Sequence, residues 1–555
     1  MANAPVRVIP LGGVGEIGKN MLALELGDDI LVVDSGLMFP DEEMLGIDLV
    51  IPDFRYLRER RSRVRGVLLT HGHEDHVGGL PYLMRDLPDV PIYGTKLTLG
   101  LLRTKLKEHR LAERAVLREI APGTPFQVGN ASCDSYTVCH SIPDAVGFTI
   151  DTAFGTIVHS GDWKFDHTPV DGRQTDFARL SAIAAKGVLL LLSDSTRAET
   201  AGYTPSERHV GEILEGIMSR APGRVITTTF ASNISRIKQI IDIAAVWGRK
   251  TAIIGRSMEN YTRTARELGY LDVPSGALVH PNEIAKLPDN EVSIITTGSQ
   301  GEPTSALSRM ALGDHRHVAV KDGDTVVMSS SPIPGNEELV SRTVDNLFKL
   351  GAEVIYEAGT RPHVSGHASQ EELKLLLNIL RPTHFIPIHG EYRMLVRHAR
   401  IALDLGVAPE KAFVITNGDV VEIGERGARL ADRVEVGQVY VDGLGVGDVS
   451  QSVMRDRWSI GSDGIFMIVL SIDRNTGRVV AGPDIVTKGF VPEEDSAELI
   501  EGAKQRIVEG LAEAQTGDHL AEVATLRDEI RGVVSKYLYE RTKRRPMVLP
   551  VLMQL

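Results

Sequence analysis

Cysteine is almost absent: Cys133 and Cys139 are the only two in 555 residues. Two thiols cannot staple a fold of this size and are too few for a cysteine-rich zinc site, so a reducing cytoplasm is the expected setting. Long apolar runs are missing too. The longest, such as Val188 to Leu192, fall far short of the ~20 residues that span a bilayer, and no membrane association is expected. Met1 to Pro10 lacks the charged start and long apolar core of a signal peptide. Positive charge is in deficit, 61 Lys and Arg against 74 Asp and Glu, for a net charge of −13. That balance argues against a protein that coats nucleic acid non-specifically but leaves room for a local basic groove. What remains is the composition of an ordinary globular chain, long enough for about three or four domains.

Against that background one six-residue run stands out, His71-Gly72-His73-Glu74-Asp75-His76. It follows the apolar run Gly66 to Thr70. In an extended loop His71 and His73 point to the same side, and Asp75 and His76 add oxygen and nitrogen donors one step on. With distant ligands added, one tetrahedral ion cannot use so many donors, and the pattern H-x-H-x-D-H suggests a two-metal centre.

The first 200 residues read as strands and turns broken by helices. Predicted strands are Asp29 to Asp34, Val64 to Thr70, a hairpin of Val146 to Asp151 with Gly155 to His159, and Val188 to Leu192. Metal-ligand residue types recur just beyond these strand ends, where a sheet can hold them rigidly. From about residue 205 to 355 the rhythm becomes strand, loop, helix. The strands Arg224 to Thr229, Thr251 to Ile254, Val292 to Thr296 and Thr325 to Met328 end in small polar loops, including Ser329-Ser330-Ser331. That is the pattern of a parallel α/β layer with a ligand crevice at its strand ends.

Two motifs are decoys. Gly13 to Gly18 spells G-x-G-x-x-G and nearly a phosphate-binding loop, but Asn20 replaces the needed hydroxyl and a strand hairpin, not a helix, is predicted to follow. Ser235-Arg236-Ile237-Lys238 spells S-x-x-K on an amphipathic helix, without the partner motifs of a serine β-lactamase.

Three further residues complete the metal set. His140 lies just past an alternating strand, Asp162 follows a strand in Ser160-Gly161-Asp162-Trp163, and His389 follows Phe385 to Ile388. The expected partition gives His71, His73 and His140 to one ion and Asp75, His76 and His389 to the other, with Asp162 between them. Such donors suit zinc and accept manganese.

These residues carry a family resemblance. The H-x-H-x-D-H run with a later His and Asp resembles the metallo-β-lactamase superfamily, an αββα sandwich. The inserted α/β segment, followed by Ser365-Gly366-His367 and Ile388-His389-Gly390-Glu391, is similar to the β-CASP subfamily of nucleases. The wording His363-Val364-Ser365-Gly366-His367-Ala368-Ser369, with a C-terminal extension, resembles the bacterial ribonuclease J family. The fold this implies is α/β: a sandwich with an inserted parallel β-CASP domain and a small C-terminal α/β domain. The expected boundaries are 1–205 and 356–448 for the two parts of the sandwich, 206–355 for the insertion, 449–463 for a linker and 464–555 for the last domain.

The resemblance implies a ribonuclease with 5′-to-3′ exonuclease action on 5′-monophosphate ends and endonuclease action, in RNA decay and maturation. Two divalent ions per subunit would activate a bridging water as hydroxide. His367 is the implied general acid, Asp194 the carboxylate that orients it, and Asp75 acts beside them. Asp34 would support the ligands from behind. His363, Val364, Ser365, Gly366 and His367, with Ser331, would form the pocket for the terminal phosphate. Asp48 and Asp442 would hold an additional structural cation. Expected partners are single-stranded RNA, a second copy of the chain docked through the C-terminal region, and proteins of an RNA-degradation complex. There a hairpin is expected around Asp473 to Gly477, helices over Ser496 to Ala514 and Leu520 to Tyr539, and a basic run at Arg541 to Arg545. A DNA-directed β-CASP nuclease and a non-nuclease metallo-hydrolase share much of this pattern and stand as the alternatives. A non-catalytic subunit is the third, and such proteins lose ligands that this chain keeps.

Overall fold

The computed structural model describes residues 4–41, 43–333, 336–356, 362–473, 479–492, 496–514 and 523–555. The chain divides into two compact units, Met1–Phe39 with Leu49–Val439, and Pro40–Asp48 with Tyr440–Leu555.

The first unit is built on two facing sheets. One has eight strands in the order Gly427–Ala431, Val420–Gly424, Val6–Gly12, Met21–Leu26, Asp29–Val33, Val64–Leu68, Ile92–Gly94 and Leu117–Glu119. The other has six: His384–Ile388, Val188–Asp194, Gly155–His159, Val146–Thr152, Ala131–Thr137 and Phe126–Val128. Alternation along the strands explains the core. Val8, Leu24, Leu31 and Leu68 of the first sheet meet Phe148, Ile157, Leu190, Leu192 and Ile386 of the second. The interleaved Leu191, with Val158 and Phe385, points the other way and packs with Leu180, Leu373 and Leu377 of helices Phe177–Lys186 and Gln370–Leu380. The unbroken leucine run Leu189 to Leu192 is therefore a strand covered on both faces.

The glycine-rich segment at 13–18 leads, as expected, into an antiparallel hairpin, with Leu22 opposite Val33 and Leu26 opposite Asp29. No helix follows it, so the structural context of a nucleotide loop is missing.

The chain leaves this sheet after Asp194 and rejoins it at His384–Ile388, which lies parallel to Val188–Asp194 with Asp194 opposite Ile388. Entry and exit are thus neighbours in one sheet, and this places Asp194 beside His389. Between them lies a separate sheet ordered Lys250–Ile254, Val292–Thr296, Val225–Thr228, Thr325–Met328 and Glu353–Ile355. Every pairing in it is parallel.

In the second unit, strands Val479–Lys488, Ile465–Ile472 and Met547–Gln554 form one sheet. Phe466, Ile468 and Leu470 pack with Ile507, Leu511, Val534 and Leu538 of helices Ser496–Ala514 and Val523–Thr542. The expected turn at 474–477 and the start of the last helix at 520–522 lie outside the described residues. Residues 451–463 of the expected linker form a helix, Gln451–Asp463, N-capped by Ser450. Among the described residues no helix is long and apolar enough to cross a membrane.

Candidate metal centre

The loop after strand Val64–Leu68 carries His71 and His73, and Glu74–Val77 forms one helical turn that swings Asp75 and His76 back toward them. His140 lies beyond strand Ala131–Thr137, Asp162 beyond Gly155–His159 and His389 directly beyond His384–Ile388. These seven side chains converge. His73 Nδ1 lies 3.0 Å from His71 Nε2 and 3.2 Å from His140 Nε2. Asp162 Oδ2 stands 3.8 Å from both His71 Nε2 and His140 Nε2. The same oxygen is 3.2 Å from His76 Nε2 and 3.3 Å from His389 Nε2. Asp75 Oδ2 completes the second group at 3.5 Å from His76 Nε2 and 3.4 Å from His389 Nε2.

Donors held at about 2.0–2.1 Å around a tetrahedral ion stand about 3.3–3.4 Å apart. The second group has that spacing at 3.2–3.5 Å, and the first brackets it at 3.0–3.8 Å with Asp162 Oδ2 as the outer donor, so the residues fit two cations. His389 Nε2 supplies a second sign: it is buried and makes no well-aligned hydrogen bond among the described residues. An unpaired imidazole nitrogen aimed at carboxylate oxygens is costly unless something positive binds it.

Electrostatics agree. Burial, reinforced by neighbouring imidazoles, holds His71 and His140 well below the ordinary histidine range and His73 down to about 4. These rings are neutral at pH 7 and have a free lone pair. Asp162 and Asp75 lie well below the ordinary carboxylate range despite burial, because His389 and His76 surround them. Against burial, Asp162 and Asp75 raise His76 well above its usual value, and Asp162 leads in raising His389 to about 9. Carboxylates and imidazoles thus balance one another's charge across the cluster.

A ring of partners fixes the outward nitrogens. Asp34 Oδ2 lies 2.7 Å from His76 Nδ1, and its carboxylate also accepts from Thr70 N and Thr70 Oγ1. Thr70 Oγ1 is 3.0 Å from His71 Nδ1, Gly366 O is 2.8 Å from His140 Nδ1, and Thr196 Oγ1 is 2.7 Å from His389 Nδ1. Each contact fixes a ring's orientation and tautomer. Asp34 and His389 hold left-handed backbone, φ 60° and 52°, a conformation that costs about 1–3 kcal/mol and clusters at functional sites.

Beside the seven donors, His367 Nδ1 lies 2.8 Å from Asp194 Oδ2. The other oxygen, Asp194 Oδ1, accepts from Thr196 N and Oγ1. Asp194 thus braces His367 directly and His389 through Thr196.

Residues 222–347 match the family described as ribonuclease J, beta-CASP domain, and 452–555 match the ribonuclease J C-terminal domain. Residues 45–178 match the beta-lactamase superfamily domain, and 351–413 the Zn-dependent metallo-hydrolase RNA specificity domain. The chain is 46% identical to ribonuclease J2 of Bacillus subtilis (strain 168), covering 99% of this chain and 98% of that one. It is 45% identical to ribonuclease J of Thermus thermophilus, covering 99% and 95%. The chain belongs to the ribonuclease J family. A crystal structure of a protein of unknown function from Enterococcus faecalis V583 aligns at TM-score 0.54 and 15% identity, over 76% of this chain and all of that one. That likeness concerns the fold alone.

For this ribonuclease J family member the remaining expected positions divide. Along 363–367 burial alternates: Val364 and Gly366 are buried, while His363, Ser365 and His367 are half-buried on the other side. Ser365 Oγ accepts from His367 N at 3.2 Å. Ser331 is exposed, and the hydrogen bond to this segment comes from Ser329, whose Oγ donates to Pro362 O at 2.5 Å. In the second unit Asp48 Oδ2 accepts from Gly443 N at 2.8 Å, and Asp442 Oδ2 pairs with Arg457 at 2.5 Å. Among the described residues neither belongs to a cluster of three or more potential ligands.

Sequence reasoning missed Asn20, whose Nδ2 donates to Asp75 O and Oδ2 at 3.1 and 3.3 Å. It also missed Thr70 and Thr196, and Thr204, whose Oγ1 donates to His367 O at 2.7 Å. Asn20 ends the glycine-rich decoy, and the departure from the nucleotide motif at that position was the available signal.

Proposed function

We propose that this chain is a metal-dependent ribonuclease that hydrolyses RNA phosphodiester bonds, acting 5′-to-3′ from 5′-monophosphate ends and also internally. The carrying observation is the pair of donor groups, His71, His73 and His140 beside Asp75, His76, Asp162 and His389, with Asp162 Oδ2 facing both and the His367–Asp194 pair next to them. Its relatives' names, ribonuclease J and J2, support RNA as the substrate.

His71, His73 and His140 would hold one ion, and Asp75, His76 and His389 the other, with Asp162 shared. Two such ions polarise phosphoryl oxygens and make water a nucleophile at neutral pH. Zinc is the favoured metal and manganese an accepted one. The chain's own residues supply the rest. Asp34, Thr70, Thr196 and Gly366 O keep the ligating nitrogens aimed inward. Asp194 would accept from Nδ1–H of a doubly protonated His367, whose Nε2–H passes its proton to the departing 3′ oxygen and leaves the ring neutral. The water gives up one proton to solvent as its oxygen bonds phosphorus, the P–O3′ bond breaks, and the proton from His367 caps O3′, giving a 5′ phosphate and a 3′ hydroxyl.

His363, Ser365 and His367, the half-buried positions of an irregular segment that bends at Gly366–His367, would form a row of donors suited to a terminal phosphate. Ser331 belongs to the neighbouring strand-end loops and would contribute to the same approach. By the expected limits the sandwich comprises 1–205 and 356–448, interrupted by the β-CASP insertion at 206–355; of these, residues 40–48 and 440–448 fall in the second compact unit. The C-terminal domain would support a homodimer, and assembly with other RNA-degradation proteins is consistent with the family. An Asp48–Asp442 cation would add stability to the second unit. Cys133 and Cys139 are free and buried, in keeping with a cytoplasmic setting.

The test is a product time course on one 5′-labelled single-stranded RNA bearing a 5′ monophosphate, triphosphate or hydroxyl, with zinc or manganese, beside matching DNA. Labelled mononucleotide released from the monophosphate RNA, with slower internal cutting of the others, is the expected result. Cleavage of DNA alone, or of neither polymer, would overturn the reading.

A further inference from the structure

Arg236 lies on helix Ile234–Val246 with its side chain fully buried. A guanidinium in that position needs compensation, and it receives it. Its Nε and Nη2 donate to Glu207 Oε1 and Oε2 at 2.6 and 2.7 Å, a bidentate pair. Nη1 donates to Ser329 O at 2.7 Å and lies 2.9 Å from His363 Nδ1. Glu207 is held in turn by Gln239 Nε2. None of these groups takes part in the reaction chemistry described above.

The consequence for His363 follows from the donor inventory. A guanidinium has five N–H donors and no acceptor. Its contact with His363 Nδ1 therefore makes that nitrogen the acceptor, and the ring's proton must sit on Nε2. Burial, with the charges of Arg236, Arg197 and Lys164, pushes His363 down to about 3, so the ring carries a single proton at neutral pH. His363 lies on the half-buried side of the segment that ends at His367, and the Ser329 carbonyl beside its ring works weakly against the downward shift. An ordinary exposed histidine populates both tautomers and an imidazolium. This one is held as one neutral donor.

We propose that Arg236, clamped by Glu207, is a positioning residue that locks His363 as the Nε2–H tautomer, so that it recognises a 5′-terminal phosphate monoester by directional hydrogen bonding. This rests on the reading of residues 363–367 as the terminal-phosphate site. It adds that selectivity among 5′ ends depends on a buried ion pair that never touches RNA.

The test compares kcat/KM for 5′-monophosphate RNA with that for the same RNA bearing a 5′ hydroxyl, in the metal-loaded full chain. The variants are Arg236→Gln combined with Glu207→Gln, whose amide pair no longer dictates which ring nitrogen is protonated, and Arg236→Lys, which remains a pure donor. Wild type should prefer the monophosphate. The double variant should lose about tenfold of that preference, the scale of one hydrogen bond to a charged group, and Arg236→Lys should retain more of it. A second measurement needs no variant core: nitrogen NMR of 15N-histidine-labelled wild type, with the His363 signals assigned through His363→Gln, should show Nδ1 unprotonated and Nε2 protonated. A folded double variant with unchanged preference, or a protonated Nδ1 in wild type, overturns the inference while leaving the phosphate site standing. A wild type indifferent to its 5′ end overturns both.

Discussion

The carboxylate of Asp34 lies 2.7 Å from Nδ1 of His76, and it gets there from backbone held at φ 60°. The strand Asp29–Val33 ends one residue earlier, so the left-handed turn redirects Asp34 under the metal loop. Its two oxygens serve His76 and both polar atoms of Thr70, which binds the ends of the histidine run to one anchor.

Asp34→Asn keeps the shape and the tolerance for left-handed backbone while removing the charge. Metal affinity should fall about 10–100-fold, the range for removing such a supporting group. Competition with a chromophoric chelator measures it, and wild-type affinity in the variant would contradict the role given to Asp34.

Gly366 is required for space. A Cβ there would meet His140 Cε1 and Nδ1 at 2.7 Å and Ser141 N at 3.0 Å. Gly366→Ala should displace His140 or its carbonyl partner, lowering metal content and reducing cleavage by more than about tenfold. Metal analysis of the purified variant, alongside its cleavage rate, checks both.

Thr196→Val is nearly isosteric but removes the hydroxyl that joins Asp194 Oδ1 to His389 Nδ1. The variant should fold, since the site is at a strand end, and lose about tenfold in kcat through misaligned His389 and Asp194. Single-turnover cleavage at saturating RNA reads this out. A change in KM alone would argue against it.

Metal uptake should release protons. Asp162 and its carboxylate neighbours raise His389 to about 9 and His76 well above the usual imidazole range. Below about pH 9 metal-free protein should therefore carry protons that a cation must displace, and metal affinity should rise with pH across the range 6 to 9. Calorimetry of metal binding in buffers of different ionisation enthalpy measures the released protons. A binding constant flat across that range would contradict this electrostatic account.

What the sequence made legible was local. The run His71 to His76 brings four donors together in six residues, and the strands beneath it follow from apolar runs such as Leu189 to Leu192. The insertion was visible as a change of rhythm. His140, Asp162 and His389 were each weak alone and became readable as a set only when joined to the His71 to His76 run, because nothing in their local spacing links them. The supporting layer was not legible. Gly366 acts through a backbone carbonyl, Thr196 through a hydroxyl, and Asn20 from a turn that spells a different motif. Arg236 was hidden for another reason: an arginine on an amphipathic helix reads as solvent-facing until tertiary structure brings Glu207 and His363 to it. Ser329 and Ser331 are two residues apart on one loop, and only the packing shows that Ser329 is the one that hydrogen-bonds Pro362, just before the 363–367 segment.

Anomalous diffraction from crystals grown with zinc or manganese tests the central claim most directly. The account predicts two peaks about 3.5–4 Å apart, one among His71, His73 and His140, the other among Asp75, His76 and His389, with Asp162 Oδ2 touching both. A single fully occupied peak at saturating metal, or peaks that leave Asp162 unligated, would contradict it.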